Sequence, residues 1–365
     1  MNVTNMRLYH KFLFLPISTF IALLLTPIQA SSAAPSRFLE QEEVRTFIRD
    51  LETQEHFDKA DLEELFSRTR HVQSVIDAMD RPFKQPPPWY KYAQPILTEA
   101  RYNQGVVFWN THRRALEQAE SQFGVPAQII VAIIGVETFY GKVTGNYRLM
   151  DALSTLAFDY PRRASFFQDE LKQFLILARD EHINPLDLRG SFAGAMGIPQ
   201  FMPSSYRRFG IDYNQDGHID LLRSPVDAIG SVGHFLKEHG WERNSWGVRP
   251  IEKLPIELLI IATQEKGISE WKLPEEWERL FKTSDNQSVA LPFNDREKVA
   301  LLRLEMDENT PYFVWVGPNF QAITKYNRSR LYASVVWSLA CQLAEAEGKQ
   351  PCDLPLNTQP ASSKK

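Results

Sequence analysis

Ile129-Ile-Val-Ala-Ile-Ile-Gly-Val-Glu137-Thr-Phe-Tyr-Gly141 is the stretch on which the reading of this chain turns. The eight residues from Ile129 to Val136 carry no charge, and a helix that is apolar on every side has to be buried. Its end sets one carboxylate beside Gly141. Burial and the negative end of the helix dipole both disfavour the charged form, so the Glu137 pKa is expected to rise. A carboxylic acid shifted in that direction can donate a proton near neutral pH. The alternative is a helix-terminal glutamate that reaches solvent or pairs with Arg162 or Arg163.

Moving outward, helical spacing of apolar residues recurs on both sides. Phe38, Val44, Phe47, Ile48 and Leu51 predict amphipathic helices between Phe38 and Met79. Three consecutive prolines in Arg81-Pro-Phe-Lys-Gln-Pro-Pro-Pro-Trp89 favour an extended strap or linker. Periodicity returns at Trp109, Leu116, Ala119 and Phe123, stops at Gly124 and restarts at Pro126. A further helix is predicted from about Arg162 to Asp180, with Phe167, Leu171, Phe174, Leu175 and Ala178 on one face. Between Trp241 and Phe320 the runs Ala300 to Met306 and Tyr312 to Val316 are short and rich in strand formers, so a small β-containing insertion is expected. Asn327 or Ser329 can cap a last helix through Leu331, Val335, Val336 and Leu339. The fold class is therefore mainly α, with a minor β component (α+β).

Two loops offer further chemistry. In Gly190-Ser-Phe-Ala-Gly-Ala-Met-Gly-Ile-Pro-Gln-Phe-Met-Pro-Ser-Ser-Tyr206, the glycines let backbone approach a ligand, and Ser191, Gln200 and Tyr206 offer hydrogen bonds. Tight packing between helices is the other reading. Asp212-Tyr-Asn-Gln-Asp-Gly-His-Ile-Asp220 has oxygen side chains at positions 1, 3, 5 and 9 and Gly217 at position 6, the pattern of an EF-hand loop for Ca²⁺. Arg223 stands at position 12, where that loop carries a bidentate Glu, and Asp227 is the nearest carboxylate to close the shell. The expected ligands are Asp212, Asn214, Asp216, the His218 carbonyl, Asp220 and Asp227. A solvated Asx turn is the alternative.

Composition removes other classes. The 365 residues hold 41 Lys and Arg against 45 Asp and Glu, so no basic field exists for nucleic acid. Cys341 and Cys352 are too few for a tetrathiolate site, and the chain lacks the His-Glu-x-x-His and Gly-x-Ser-x-Gly signatures. Arg7 and Lys11 precede an apolar run from Phe12 to Leu25, shorter than the roughly 20 residues a membrane-spanning helix needs. Small residues follow, so export with cleavage between Ala30 and Ala34 is expected. In an oxidising compartment Cys341 and Cys352 could bridge.

Together these segments resemble the lytic murein transglycosylases of the B type from Gram-negative bacteria. The resemblance rests on Gly135-Val-Glu-Thr138, Asp151 to Arg163, Gly190 to Tyr206, Asp212 to Asp220 with Pro225 to Ser231, and Lys325-Tyr-Asn327. It implies a lysozyme-like catalytic core with an α-helical domain and a small β-domain. The expected division is a signal peptide at 1–34, a helical region and strap at 35–90, the core at 91–240 and the insertion at 241–320. A returning helix at 321–345 and a tail at 346–365 complete it.

Glu137 takes the family's catalytic acid and base role. The cleft residues carry over to Tyr160, Arg162, Arg163, Ser191, Met196, Gln200, Phe201, Tyr326 and Asn327. Phe235 stands where a cleft tyrosine is aligned, and the loop before Asp227 is one residue longer. The implied substrate is the β-1,4 bond between N-acetylmuramic acid and N-acetylglucosamine, the product a 1,6-anhydro end, and the partners peptidoglycan glycan strands, with other cell-wall enzymes left open. No cysteine follows the apolar run, so a periplasmic form without a lipid anchor is expected. Two alternatives stand beside it: a non-catalytic murein-binding scaffold, and a lysozyme-type hydrolase using Asp151 or Asp159 as second carboxylate.

Overall fold

The structure, a computed structural model, describes residues 37–81, 86–251, 259–260, 263, 267–281 and 296–349. The expected signal segment, part of the proline strap, part of the insertion, Cys352 and most of the tail lie outside the described residues.

Three short amphipathic helices open the described chain: α1 (Glu42–Glu55), α2 (Lys59–Ser67) and α3 (Gln73–Met79). Val44, Ile48 and Leu51 are the buried stripe of α1, and the Asp58 carboxylate caps α2 by accepting from the Ala60 and Asp61 N–H groups. Next come α4 (Trp89–Ala93), α5 (Glu99–Thr111) and α6 (Arg113–Phe123). The chain bends between the last two at His112, whose φ and ψ of −112° and 21° leave the helical region. Gly124 then ends α6 with φ 73°, in the left-handed region that costs glycine nothing.

The central helix α7 (Ala127–Thr138) is buried without interruption from Ile129 to Gly135. Its all-round apolar surface is accommodated because α5, α6 and two later helices, α11 (Pro225–Glu238) and α14 (Arg330–Ala346), enclose it. Each of those isoleucines is a large buried contact, and truncating one such as Ile130 to alanine would cost about 2–5 kcal/mol. Between α7 and α11 lie the strand pair β1 (Tyr147–Arg148) and β2 (Arg189–Gly190), with α8 (Leu149–Asp159), α9 (Ala164–Asp180) and α10 (Pro203–Phe209). The predicted start of α9 at Arg162 is corrected: Pro161–Arg163 form a 3₁₀ turn, because Tyr160 leaves the helical region ahead of the fixed φ of Pro161.

The β segment is an antiparallel sheet in the order β3 (Val248–Pro250), β5 (Pro311–Val316), β4 (Ala300–Glu305), flanked by α12 (Pro274–Leu280). Successive side chains of a strand point to opposite faces, and here both faces are covered. Ala300, Leu302, Leu304, Val314 and Val316 join the main core. Leu301, Phe313 and Trp315 join a second cluster with Trp277 and Phe281. From this sheet α13 (Pro318–Tyr326) leads into α14, capped by Ser329 and not Asn327, since the Ser329 hydroxyl accepts from the Tyr332 N–H. Cys341, buried on α14, is disulfide-bonded.

Candidate active site

Glu137 stands in the last turn of α7, partly exposed and otherwise enclosed by protein. The helix stops there because Phe139 and Tyr140 take φ values of 50° and 62°. Two adjacent non-glycine residues in the left-handed region cost of order 1–3 kcal/mol each, and the surroundings hold them. The Phe139 and Tyr140 N–H groups donate to the Gly135 and Ile134 carbonyls. Arg101 donates to the Gly135 carbonyl at 3.0 Å, with its guanidinium 5.2 Å from the Phe139 ring centre. Thr138 donates to the Ile198 carbonyl at 2.8 Å and accepts from the Gly141 N–H at 2.9 Å, joining this helix end to the glycine-rich loop.

Among the described residues one direct partner serves the carboxylate: the Tyr332 hydroxyl donates to Glu137 Oε1 at 2.6 Å. Burial lifts the Glu137 pKa from 4.5 to about 7, and the Tyr332 hydrogen bond opposes part of that rise. The direction expected from sequence holds, with loss of hydration as its cause. In turn, burial and the nearby carboxylate raise the pKa values of Tyr92, Tyr326 and Tyr332, so all three phenols stay protonated. Tyr326 lies nearly parallel to Tyr332, with ring centres 6.3 Å apart and planes 10° off, and donates to the Pro199 carbonyl at 2.5 Å.

Of the residues expected in the cleft, Phe201 and Tyr326 meet at 5.7 Å, with Phe235 at 4.9 Å from Tyr326. Phe235 has no hydroxyl to offer and stacks on His239 at 3.9 Å. Ser191, Met196 and Gln200 build the loop itself. The Ser191 hydroxyl accepts from the Ala195 N–H at 2.9 Å, and Met196 exchanges backbone hydrogen bonds with Phe201. Gln200 donates from its amide to the Thr144 carbonyl at 2.9 Å. Gly190 permits the tight return, since a Cβ there would lie 2.2 Å from the Ala195 carbonyl oxygen.

Tyr160, Arg162 and Arg163 make their contacts elsewhere. Arg162 pairs with Asp80 at 3.1 Å and lies over Tyr160 at 5.8 Å, while Arg163 stacks on Phe166 at 4.2 Å. Among the described residues neither arginine pairs with Glu137, so the ion pair considered from sequence does not form. Asn327 is exposed at the end of α13.

Tyr332 and Tyr92 were not legible in sequence. Tyr332 lies 195 residues from its partner and reads as one more core residue of an apolar helix. Its only signal is a polar tip on a buried face, which needs a hydrogen-bond partner.

The two other carboxylates considered are committed. Asp151 binds Arg148 at 2.6 Å and accepts from the Arg70 N–H at 2.8 Å. Asp159 binds His71 at 2.6 Å and Arg37 at 3.2 Å.

The acidic loop also differs from expectation. Asp212, Asn214, Asp216, His218, Asp220 and Asp227 were expected to converge on one cation, yet among the described residues no three His, Cys, Asp or Glu side chains form a metal-holding group. The side chains turn to the loop's own backbone. Asp212 accepts from the Asp216 and Gly217 N–H groups, Asp216 from that of His218, and Asp220 from those of Leu222 and Arg223. Asn214 accepts from the Asp216 N–H and donates to the Asp216 carboxylate. Asp227, fully buried, accepts from Tyr213, Asn214 and Asp220 N–H groups. A carboxylate has about four acceptor positions, so Asp227 retains one, and the donor set of hard oxygens around Gly217 still fits a hard cation.

With this geometry in hand, the similarities are specific. Residues 39–341 match the family model described as Transglycosylase SLT domain. The chain is 40% identical over 324 residues to the membrane-bound lytic murein transglycosylase B of Escherichia coli K12, covering 85% of this chain and 84% of that protein. The crystal structure of the soluble lytic transglycosylase SltB1 from Pseudomonas aeruginosa superposes with a TM-score of 0.76 at 41% identity, over 84% of this chain and 99% of that one. The Escherichia coli lytic transglycosylase Slt35 in complex with calcium does so with a TM-score of 0.76 at 39% identity, over 86% and 96%. The chain belongs to the Transglycosylase SLT domain family of enzymes.

Proposed function

We propose that this chain cleaves the β-1,4 bond between N-acetylmuramic acid and N-acetylglucosamine in peptidoglycan without water, leaving a 1,6-anhydromuramic acid end. The observation that carries the assignment to Glu137 is a carboxylate whose pKa burial lifts to about 7, with the Tyr332 hydroxyl donating to it. Protonated Glu137 gives its proton to the glycosidic oxygen as the bond to C1 breaks. The resulting carboxylate then takes the proton of the muramic acid C6 hydroxyl while O6 closes on C1, so one residue serves as acid and then as base. Tyr332 holds Oε1 throughout, and the apolar wall of Phe201, Phe235 and Tyr326 limits water at C1. A retaining hydrolase would need a second carboxylate about 5–5.5 Å away, and the pairing of Asp151 and Asp159 disfavours that reading.

The same reading places Tyr160, Arg162, Arg163, Ser191, Met196, Gln200 and Asn327 along the glycan path or in the loops that shape it. Calcium would be held by Asp212, Asn214, Asp216, the His218 carbonyl, Asp220 and the remaining position on Asp227. It would supply charge neutralisation and rigidity to the loop. Export to the periplasm follows from the substrate, and the curated relative is named as membrane-bound. The division at residues 35–90, 91–240, 241–320 and 321–345 is proposed with it.

Mass analysis of muropeptides released from purified sacculi tests the reaction. Anhydro ends are expected, and products heavier by one water would replace the proposal with hydrolysis.

A further inference from the structure

The turn that ends α7 is held by a close fit between two helices. Tyr140 is only 8% exposed and packs its ring against α5, with centres 5.4 Å from that of Phe108. Both α5 and α7 present a glycine to the tip of that ring. A Cβ on Gly105 of α5 would lie 2.4 Å from the Tyr140 hydroxyl oxygen, and one on Gly135 of α7 would lie 2.5 Å from the same oxygen and 2.6 Å from Cζ. Any side chain at either position would push the ring out of its slot.

Locally this fit is unfavourable. Glycine in a helix is disfavoured relative to alanine, and both glycines are helical. Among the described residues the buried Tyr140 hydroxyl has no hydrogen-bond partner, which is a further cost. The left-handed backbone of Phe139 and Tyr140 adds to it. Costs gathered in this way beside one carboxylate point to a function for the strain.

What the fit secures is the segment that carries Glu137. Tyr140 seats its ring on Gly135 and donates its N–H to the Ile134 carbonyl at 3.3 Å, so residues 135–140 close on themselves with Glu137 between. From outside, α5 holds this closed segment: Gly105 admits the ring, and Arg101, one turn earlier on the same face, donates to the Gly135 carbonyl at 3.0 Å. Tyr332 meets the carboxylate from α14 at 2.6 Å, and hydrogen bonds weaken steeply when their geometry is lost. The backbone under Glu137 therefore has to be fixed as closely as the helix that carries Tyr332. We infer that Tyr140 is a positioning residue: its ring, seated between Gly105 and Gly135, sets the direction in which Glu137 presents its carboxylate. Tyr140 acts through the backbone, and burial pushes its phenol further above neutral pH, so it moves no proton itself. The inference rests on the proposed function, in which Glu137 is the acid and base.

Steady-state kinetics of the full chain on a soluble muropeptide, with melting temperatures as the control for folding, test it. Gly105→Ala changes no residue of α7, and its methyl group meets first the Tyr140 hydroxyl and the flexible end of Leu343. This variant should lower kcat by about 10²-fold with KM unchanged, the signature of a misplaced catalytic group. Tyr140→Phe keeps the ring and should retain most of kcat. Combined with Gly105→Ala, it removes the atom that the new methyl group meets, and kcat should recover by about tenfold or more. Tyr140→Leu occupies the slot without a ring and should lose kcat as Gly105→Ala does, so it carries the test if Gly105→Ala fails to fold. Unchanged kcat in folded Gly105→Ala or folded Tyr140→Leu, or no recovery in the double variant, would overturn the positioning role and leave Tyr140 a packing residue. Failure of the wild-type chain to release anhydro ends would instead overturn the function reading, so the two failures are distinguishable.

Discussion

Replacing Glu137 by glutamine should stabilise the protein in a pH-dependent way while abolishing turnover. In the folded chain the Glu137 pKa is about 7 against an ordinary 4.5, a gap of about 2.5 pH units. At ~1.36 kcal/mol per unit this is about 3 kcal/mol. The sign follows from proton counting: between pH 4.5 and 7 the folded state binds more protons at this group than the unfolded state does. Stability from Glu137 is therefore fully present below the unfolded value and is lost as pH rises through the folded one. Glutamine has no charge to bury and can still accept from Tyr332. Urea denaturation of both proteins at about pH 4 and about pH 8 should show nearly equal stability in acid. The variant should gain up to about 3 kcal/mol in base, with turnover down by orders of magnitude. A difference between the two proteins that does not change with pH would refute the argument that burial of this carboxylate is what tunes it.

Removing the Tyr332 hydroxyl in Tyr332→Phe deletes the interaction that lowers the Glu137 pKa, so the alkaline limb of the kcat/KM profile should move to higher pH by about one unit. An unmoved limb with lower kcat would assign Tyr332 a packing role only. Asp227→Ala leaves three loop N–H groups without their acceptor and should cost about 3 kcal/mol or more, read as a drop in thermal stability, together with loss of any calcium response. Added to chelator-stripped protein, calcium at about 100 times its dissociation constant should contribute about 2.7 kcal/mol and raise the melting temperature, and an unchanged melting curve would count against the loop as a metal site.

Much of this architecture was legible because it depends on short-range chemistry. The uncharged run of α7 requires burial wherever it is placed, Gly124 ends α6 through its own backbone freedom, and the short runs of strand formers in β4 and β5 are a property of neighbouring residues. Glu137 was visible as an acid because it follows that run directly. What surrounds the acid was decided by contacts between segments distant in sequence. Tyr332 reaches Glu137 only because α14 packs against α7, and no local pattern distinguishes it from a core tyrosine. Arg162 and Arg163, adjacent to cleft motifs, turn to Asp80 and Phe166 because a 3₁₀ turn sets their direction. Asp227 was placed by its spacing from the acidic loop, whereas its geometry makes it the acceptor for three backbone N–H groups within that loop. Periodicity and capping operate over a few turns of chain and specify elements. A side chain's partner, and with it the pKa of the acid, is set by how those elements are brought together.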